Sequence, residues 1–145
     1  MTFNEFKTIW IEQLDKHPLW MECNDNSTCT DEDIVIIQKY LGVVLPENFK
    51  LFSEQFGGGH VAYVLIYSLD RSSKYYILDY NTLDRIKKDS YIAVIDNHTG
   101  DTSGFLIKNG ICSEEIYFYD HETGEITYSG YDSILDYIVY KGFKL

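Results

Sequence analysis

Residues 30–59, TDEDIVIIQKYLGVVLPENFKLFSEQFGGG, read as two successive helices with their starts and stops in view. Thr30 can cap the first with its hydroxyl. Asp31, Glu32 and Asp33 oppose the positive end of the helix dipole, and Thr30 with Asp33 approximates a capping box. Ile34, Ile37 and Leu41 fall on one stripe, and Gly42 suits the left-handed position just past the helix end. Pro46 opens the second helix at its first position, where a missing N–H costs little. Phe49, Phe52 and Phe56 continue the apolar stripe until Gly57, Gly58 and Gly59 stop it.

Upstream, Phe3, Phe6, Trp10 and Leu14 recur at spacings of three and four, predicting a helix over about residues 2–15 that His17-Pro18 closes. Residues 22–29 form a polar loop. Beyond residue 60 the apolar period falls to that of a strand. Strands are expected over 61–68, 75–80, 91–96, 104–108, 116–120 and 125–129, with turns at Asn109-Gly110 and across 120–124. A short helical turn fits within 81–89, and a last helix over about 132–140. The expected class is α+β: N-terminal helices, a twisted, mainly antiparallel sheet of about six strands, and a C-terminal helix. No linker, repeat or low-complexity stretch divides the chain, so one domain over 1–145 is expected.

Twelve Lys and Arg stand against 23 Asp and Glu, a net charge of −11, and 45% of residues are hydrophobic. That apolar content supports a core and excludes general disorder. A nucleic-acid partner is disfavoured, because phosphate contacts need a basic face. No run approaches the ~20 apolar residues of a membrane span. The first residues lack the basic-then-apolar order of a secretory signal. Three cysteines, Cys23, Cys29 and Cys112, cannot all pair in one chain, which suits free thiols in the cytoplasm. The glycosylation sequons at Asn26 and Asn97 then carry no weight. Within residues 91–140 nine acids face a single lysine, a distribution that would steer a basic protein partner. Thirteen tyrosines exceed what the core needs, leaving some for surface contacts.

Gly57-Gly58-Gly59 is no phosphate loop: the Lys-Ser/Thr of a Walker motif is missing, and the glycines follow a helix instead of leading into one. Residues 96–104, DNHTGDTSG, are the most polar cluster. Asp96, His98 and Asp101 could offer ligands to a metal in a hydrolase; the alternative is a strand connection whose side chains bond nearby backbone. Ser103 lacks the Gly-x-Ser-x-Gly order of a nucleophile elbow. Cys23 and Cys29 match neither a redox pair nor a zinc knuckle.

The run from Thr30 through Leu45-Pro46 to Gly59 resembles the opening of the SUKH superfamily, which groups yeast cell-wall-synthesis regulators with bacterial immunity proteins. Ile92-Ala93-Val94-Ile95-Asp96 followed by Gly100-Asp101 resembles its second hallmark. Tyr117-Phe118-Tyr119 and Ser133-Ile134-Leu135 resemble its last strand and closing helix, so the likeness covers about residues 28–140. The resemblance implies a non-catalytic, cofactor-free binding protein in the cytoplasm. Its partner would be a cognate toxin, basic and of a kind such as a nuclease, which it occludes; neither nucleic acid nor membrane is implied. The contact residues expected on this reading are Gly57, Gly58, Gly59, Asp96, His98, Gly100 and Asp101, with Glu114, Glu115, Tyr117 and Tyr119 as a second patch. The other readings are a scaffold binding several partners and the hydrolase built on Asp96, His98 and Asp101.

Overall fold

The computed structural model describes residues 1–21 and 27–145; Cys23, the Asn26 sequon and most of the expected polar loop lie outside them. Four helices of two turns or so and longer bracket the sheet's first half: α1 (Phe3–Lys16), α2 (Asp31–Leu41), α3 (Glu47–Gln55) and α4 (Leu83–Asp89). A short α5 (Ile134–Tyr137) widens into a π turn over Ile138–Gly142. The strands are β1 (Gly59–Val61), β2 (Val64–Ile66), β3 (Tyr91–Asp96), β4 (Thr102–Lys108), β5 (Ile111–Cys112), β6 (Ile116–Tyr119) and β7 (Ile126–Tyr131). They form one antiparallel sheet in the order β1-β2-β3-β4-β6-β7, with β5 paired to β4, so the class is α+β. No helix among the described residues is long and apolar enough to cross a membrane.

The capping reading of α2 holds in full. Thr30 N–H donates to Asp33 Oδ2 at 2.9 Å, Asp33 N–H donates to Thr30 Oγ1 at 3.2 Å, and Gly42 closes the helix with φ +68°. Pro46 precedes α3 instead of opening it, and as a cap it offers no side-chain acceptor. Glu114 fills that role from 67 residues away, its Oε1 accepting the Glu47 N–H at 3.0 Å. Asn109 and Gly110 both have positive φ, the geometry of the tight hairpin turn that joins β4 to β5. The core is one cluster in which Phe6 and Trp10 of α1, Phe49 and Phe52 of α3, and Ile92, Phe105 and Ile116 of the sheet are buried together. Trp10 stacks on Phe56 at 4.3 Å between ring centres.

Three elements differ from expectation. The single strand over 61–68 is two, because Ala62 turns at φ +51° where its N–H bonds Trp20 O and the next N–H bonds Gly142 O. The expected strand over 75–80 is a 3-10 turn at Ile77–Asp79. Its place beside β3 is taken by one side chain: Asn81 Oδ1 accepts the Ala93 N–H at 2.8 Å, and its Nδ2 donates to Ala93 O at 2.9 Å and Ile77 O at 3.0 Å. An amide presents the same donor and acceptor as a peptide unit, so a buried Asn can complete a strand edge. The last helix leaves α geometry after four residues, although Ser133 still caps it.

Candidate functional site

Strand parity divides the sheet into two faces. Ile92, Ile95, Ser103, Phe105, Ile116 and Phe118 alternate onto the helix-packed side. Ala93, Gly104, Tyr117 and Tyr128 form one row across the opposite side, and Thr102, Tyr119 and Ile126 the next. The aromatic rings on this side meet in pairs: Tyr91 stacks on Tyr119 at 5.5 Å and Tyr117 lies 5.9 Å from Tyr128. Arg85 of α4 sits 5.4 Å over the Tyr119 ring. Among the described residues this face is open to solvent beyond α4, with Tyr117 and Tyr119 half-buried and Tyr128 exposed on β7.

The tyrosines carry acidic neighbours. Tyr128 OH donates to Asp132 Oδ1, and this hydrogen bond, aided by the nearby Glu115 charge, pushes the phenol up to about 12. Tyr91 is buried, and loss of water pushes its phenol above the ordinary range, although its hydroxyl contacts Thr102 Oγ1 at 2.9 Å. Tyrosine is uncharged at neutral pH without any such shift, and the exposed Tyr128 ring suits a contact surface that buries rings and leaves a hydroxyl to bond.

The residues anticipated at 96–104 separate into two places. Asp96 Oδ1 accepts the His98 backbone N–H at 2.7 Å, the local turn that a polar strand connection predicts. Asp101 instead fastens this loop to the β6–β7 turn: its Oδ1 accepts the His121 N–H at 2.9 Å and meets His121 Nδ1 at 2.6 Å. Those hydrogen bonds hold the Asp101 carboxyl below its usual range and raise His121. Gly100 (φ +91°) lies under the His121 ring, where a Cβ would come within 2.9 Å. Among the described residues, the group with donor atoms close enough to share a metal ion is Asp101, Asp120 and His121, two half-buried carboxylates and an exposed imidazole whose Nδ1 already faces Asp101. Asp96 and His98 stand outside it, so the hydrolase trio is not assembled.

The glycine break is internal. Gly57, Gly58 and Gly59 are buried, and a Cβ on Gly57 would lie 2.6 Å from the Ser27 backbone and one on Gly58 2.7 Å from Ser68 Cα. Such close backbone approach, with φ +83° at Gly57, accounts for the glycines by packing. Glu114 is occupied in capping α3, its carboxyl raised by burial and lowered by the Glu47 and Asn48 N–H groups. Glu115 is exposed beside Tyr128. Cys29 and Cys112 are free and buried, their thiols pushed up to about 12 by burial. The anticipated residues brought together on one open surface are thus Glu115, Tyr117 and Tyr119. Sequence reading missed Tyr128, Asp132, Arg85 and His121. Alternation of Ile126 and Tyr128 marks a face of β7, but only the β6–β7 register puts Tyr128 opposite Tyr117.

Residues 31–138 match the model of a family described as SMI1-KNR4 cell-wall, SUKH_6, a span running from α2 to the first residue of the π turn. No curated protein matches the chain. Helix α1, which supplies Phe6 and Trp10 to the shared core, lies before the matched span.

Proposed function

Because the chain belongs to the SUKH superfamily, in the family described as SMI1-KNR4 cell-wall, we propose that it is a non-catalytic immunity protein that occludes a cognate toxin. The superfamily includes immunity proteins and cell-wall proteins, and its members often bind toxins. One observation carries the reading: the uncovered sheet face where Tyr117, Tyr119 and Tyr128 adjoin the carboxylates of Glu115 and Asp132. Tyrosine side chains on a rigid sheet lose little conformational freedom on binding and are favoured anchors at interfaces. The surrounding acids, in a chain of net charge −11, would speed encounter with a basic toxin such as a nuclease. The mechanism is steric, uses no cofactor and places the chain, acting as one domain, in the cytoplasm with the toxin it restrains.

Co-expression with the toxin domain encoded beside this gene tests the proposal. Survival together with a stable one-to-one complex is the expected result; cell death with no complex would remove that pairing. The family's cell-wall description favours a second reading, a regulator that binds several partners weakly. Pull-down yielding several weak partners and no tight one would select it.

A further inference from the structure

On the helix-facing side of the sheet, a cavity of about 390 Å³ opens between the β1–β2 turn, the β3–β4 connection and the C-terminal segment. That volume lies within the range of small-molecule sites. Its lining runs against the charge of the chain. Residues 91–145 contain three lysines, and two of them, Lys141 and Lys144, line this cavity with His98. None of the ion pairs among the described residues involves either lysine. Among the described residues the one carboxylate on the wall, Asp96, is turned to the His98 backbone N–H.

The walls and floor are equally specific. Tyr63, Phe118 and Tyr131 present rings, and Lys144 Nζ stands 5.4 Å from the centre of Tyr63. At the floor, Asn97 Nδ2 donates to Ser103 Oγ at 3.1 Å and Tyr137 OH donates to Asn97 Oδ1 at 3.4 Å. Ser103 is buried, and its O–H, 3.5 Å from Asn97 Oδ1 and also within reach of the Tyr137 hydroxyl, could turn to an acceptor in the cavity. His98 and Lys144 both hold positive φ, +65° and +61°, backbone conformations that cost energy in non-glycine residues and gather at ligand sites. Lys144 is held there by its neighbours: Phe143 is buried against Trp20 at 5.7 Å, and Leu145 N–H bonds Val139 O.

We propose that this cavity binds a small organic anion, a carboxylate or phosphate carried on a planar ring, with Lys141 and Lys144 holding the anionic group and the tyrosine and phenylalanine rings holding its body. The site is separate from the tyrosine face, and its test uses the protein alone, so it stands or falls independently of the immunity reading. Amide NMR titration with benzoate and adenosine monophosphate, each paired with its uncharged counterpart, benzamide and adenosine, reads the site directly. Saturable binding of an anion is expected, with shifts at Asn97, His98 and Lys141 and weaker binding of the neutral partner. Benzoate alone would assign a carboxylate ligand; the nucleotide alone, a phosphate ligand. The exposed substitutions Lys141→Met and Lys144→Met should each weaken binding about tenfold, as loss of one charge-assisted hydrogen bond does, whereas Lys88→Met on α4 should not. Equal binding of neutral and charged probes, no binding of either anion at millimolar concentration, or wild-type affinity in the Lys141→Met/Lys144→Met double variant would each overturn the proposal.

Discussion

Asn81→Ala removes one side chain and tests whether an amide really completes the edge of β3. Asn81 is buried and makes three hydrogen bonds, two of them to the N–H and C=O of Ala93. The third acceptor, Ile77 O, also receives the Tyr80 N–H and stays partnered in the variant. Two backbone groups of a buried strand are therefore orphaned, at about 1–3 kcal/mol each. A cavity of about 100 Å³ lined by Asn81 and Ala93 lets water recover part of that loss. The expected net cost is about 3 kcal/mol, a fall in Tm of about 6–12 °C for a chain of this length. Urea unfolding followed by circular dichroism measures it, with an unchanged m-value as the sign that only stability moved. Asn81→Asp adds a second arm. Its carboxylate can still accept the Ala93 N–H but faces two carbonyl oxygens, so it should be less stable than the Ala variant at neutral pH. Acid should recover part of the deficit, because a protonated carboxyl regains a donor. An Asn81→Ala protein within about 0.5 kcal/mol of wild type would refute the strand-completion reasoning.

Gly104→Ala should be at least as severe, about 3 kcal/mol, because its Cβ would lie 1.9 Å from the Ile92 carbonyl oxygen where a bulge draws β3 toward β4; thermal melting checks it. Glu114→Ala should cost about 1 kcal/mol by uncapping α3, read as a lower urea midpoint with the fold intact. His121→Ala should erase a pH dependence. His121 is raised above its ordinary 6.5, so its contribution is fully present below that pH and lost as pH rises through the raised value. Asp101 is lowered from 3.8, so its share persists above that pH and fades as pH falls through the lowered value; wild type and variant melting points should differ most between about pH 4 and 6.5 and converge in alkali. On the proposed toxin face, the Glu115→Lys and Tyr128→Ala variants should stay folded, both residues being exposed, and weaken toxin binding. The charge change should act mainly on the association rate and the ring loss on dissociation, so unchanged kinetics in both would exclude this face.

Local chemistry alone determined the elements whose causes are local. Thr30 and Asp33 cap α2 because they stand three residues apart, Gly42 ends it because only that φ is needed there, and Asn109-Gly110 turns because both residues tolerate positive φ. The apolar stripes of α1, α2 and α3 and of β3 fixed the core, and the ordered features from Thr30 onward, without α1, were enough to place the family. The tertiary structure decided whatever depends on partners far apart in the chain. Tyr75–Tyr80 alternates like a strand, but a strand needs an open edge, and Asn81 occupies it. Glu114 looks like a surface acid until α3 arrives with an uncapped end. The glycines at 57–59 look available until Ser27 and Ser68 close over them. The cluster at 96–104 divides because Asp101 finds His121, 20 residues on, while Asp96 bonds its own turn. Register across β4, β6 and β7 chose which tyrosines share a face, and the return of the C-terminus put two lysines against a polar floor. Periodicity assigns a side chain to a face of its own element; which elements then meet is set by long-range packing, which no spacing within one element encodes.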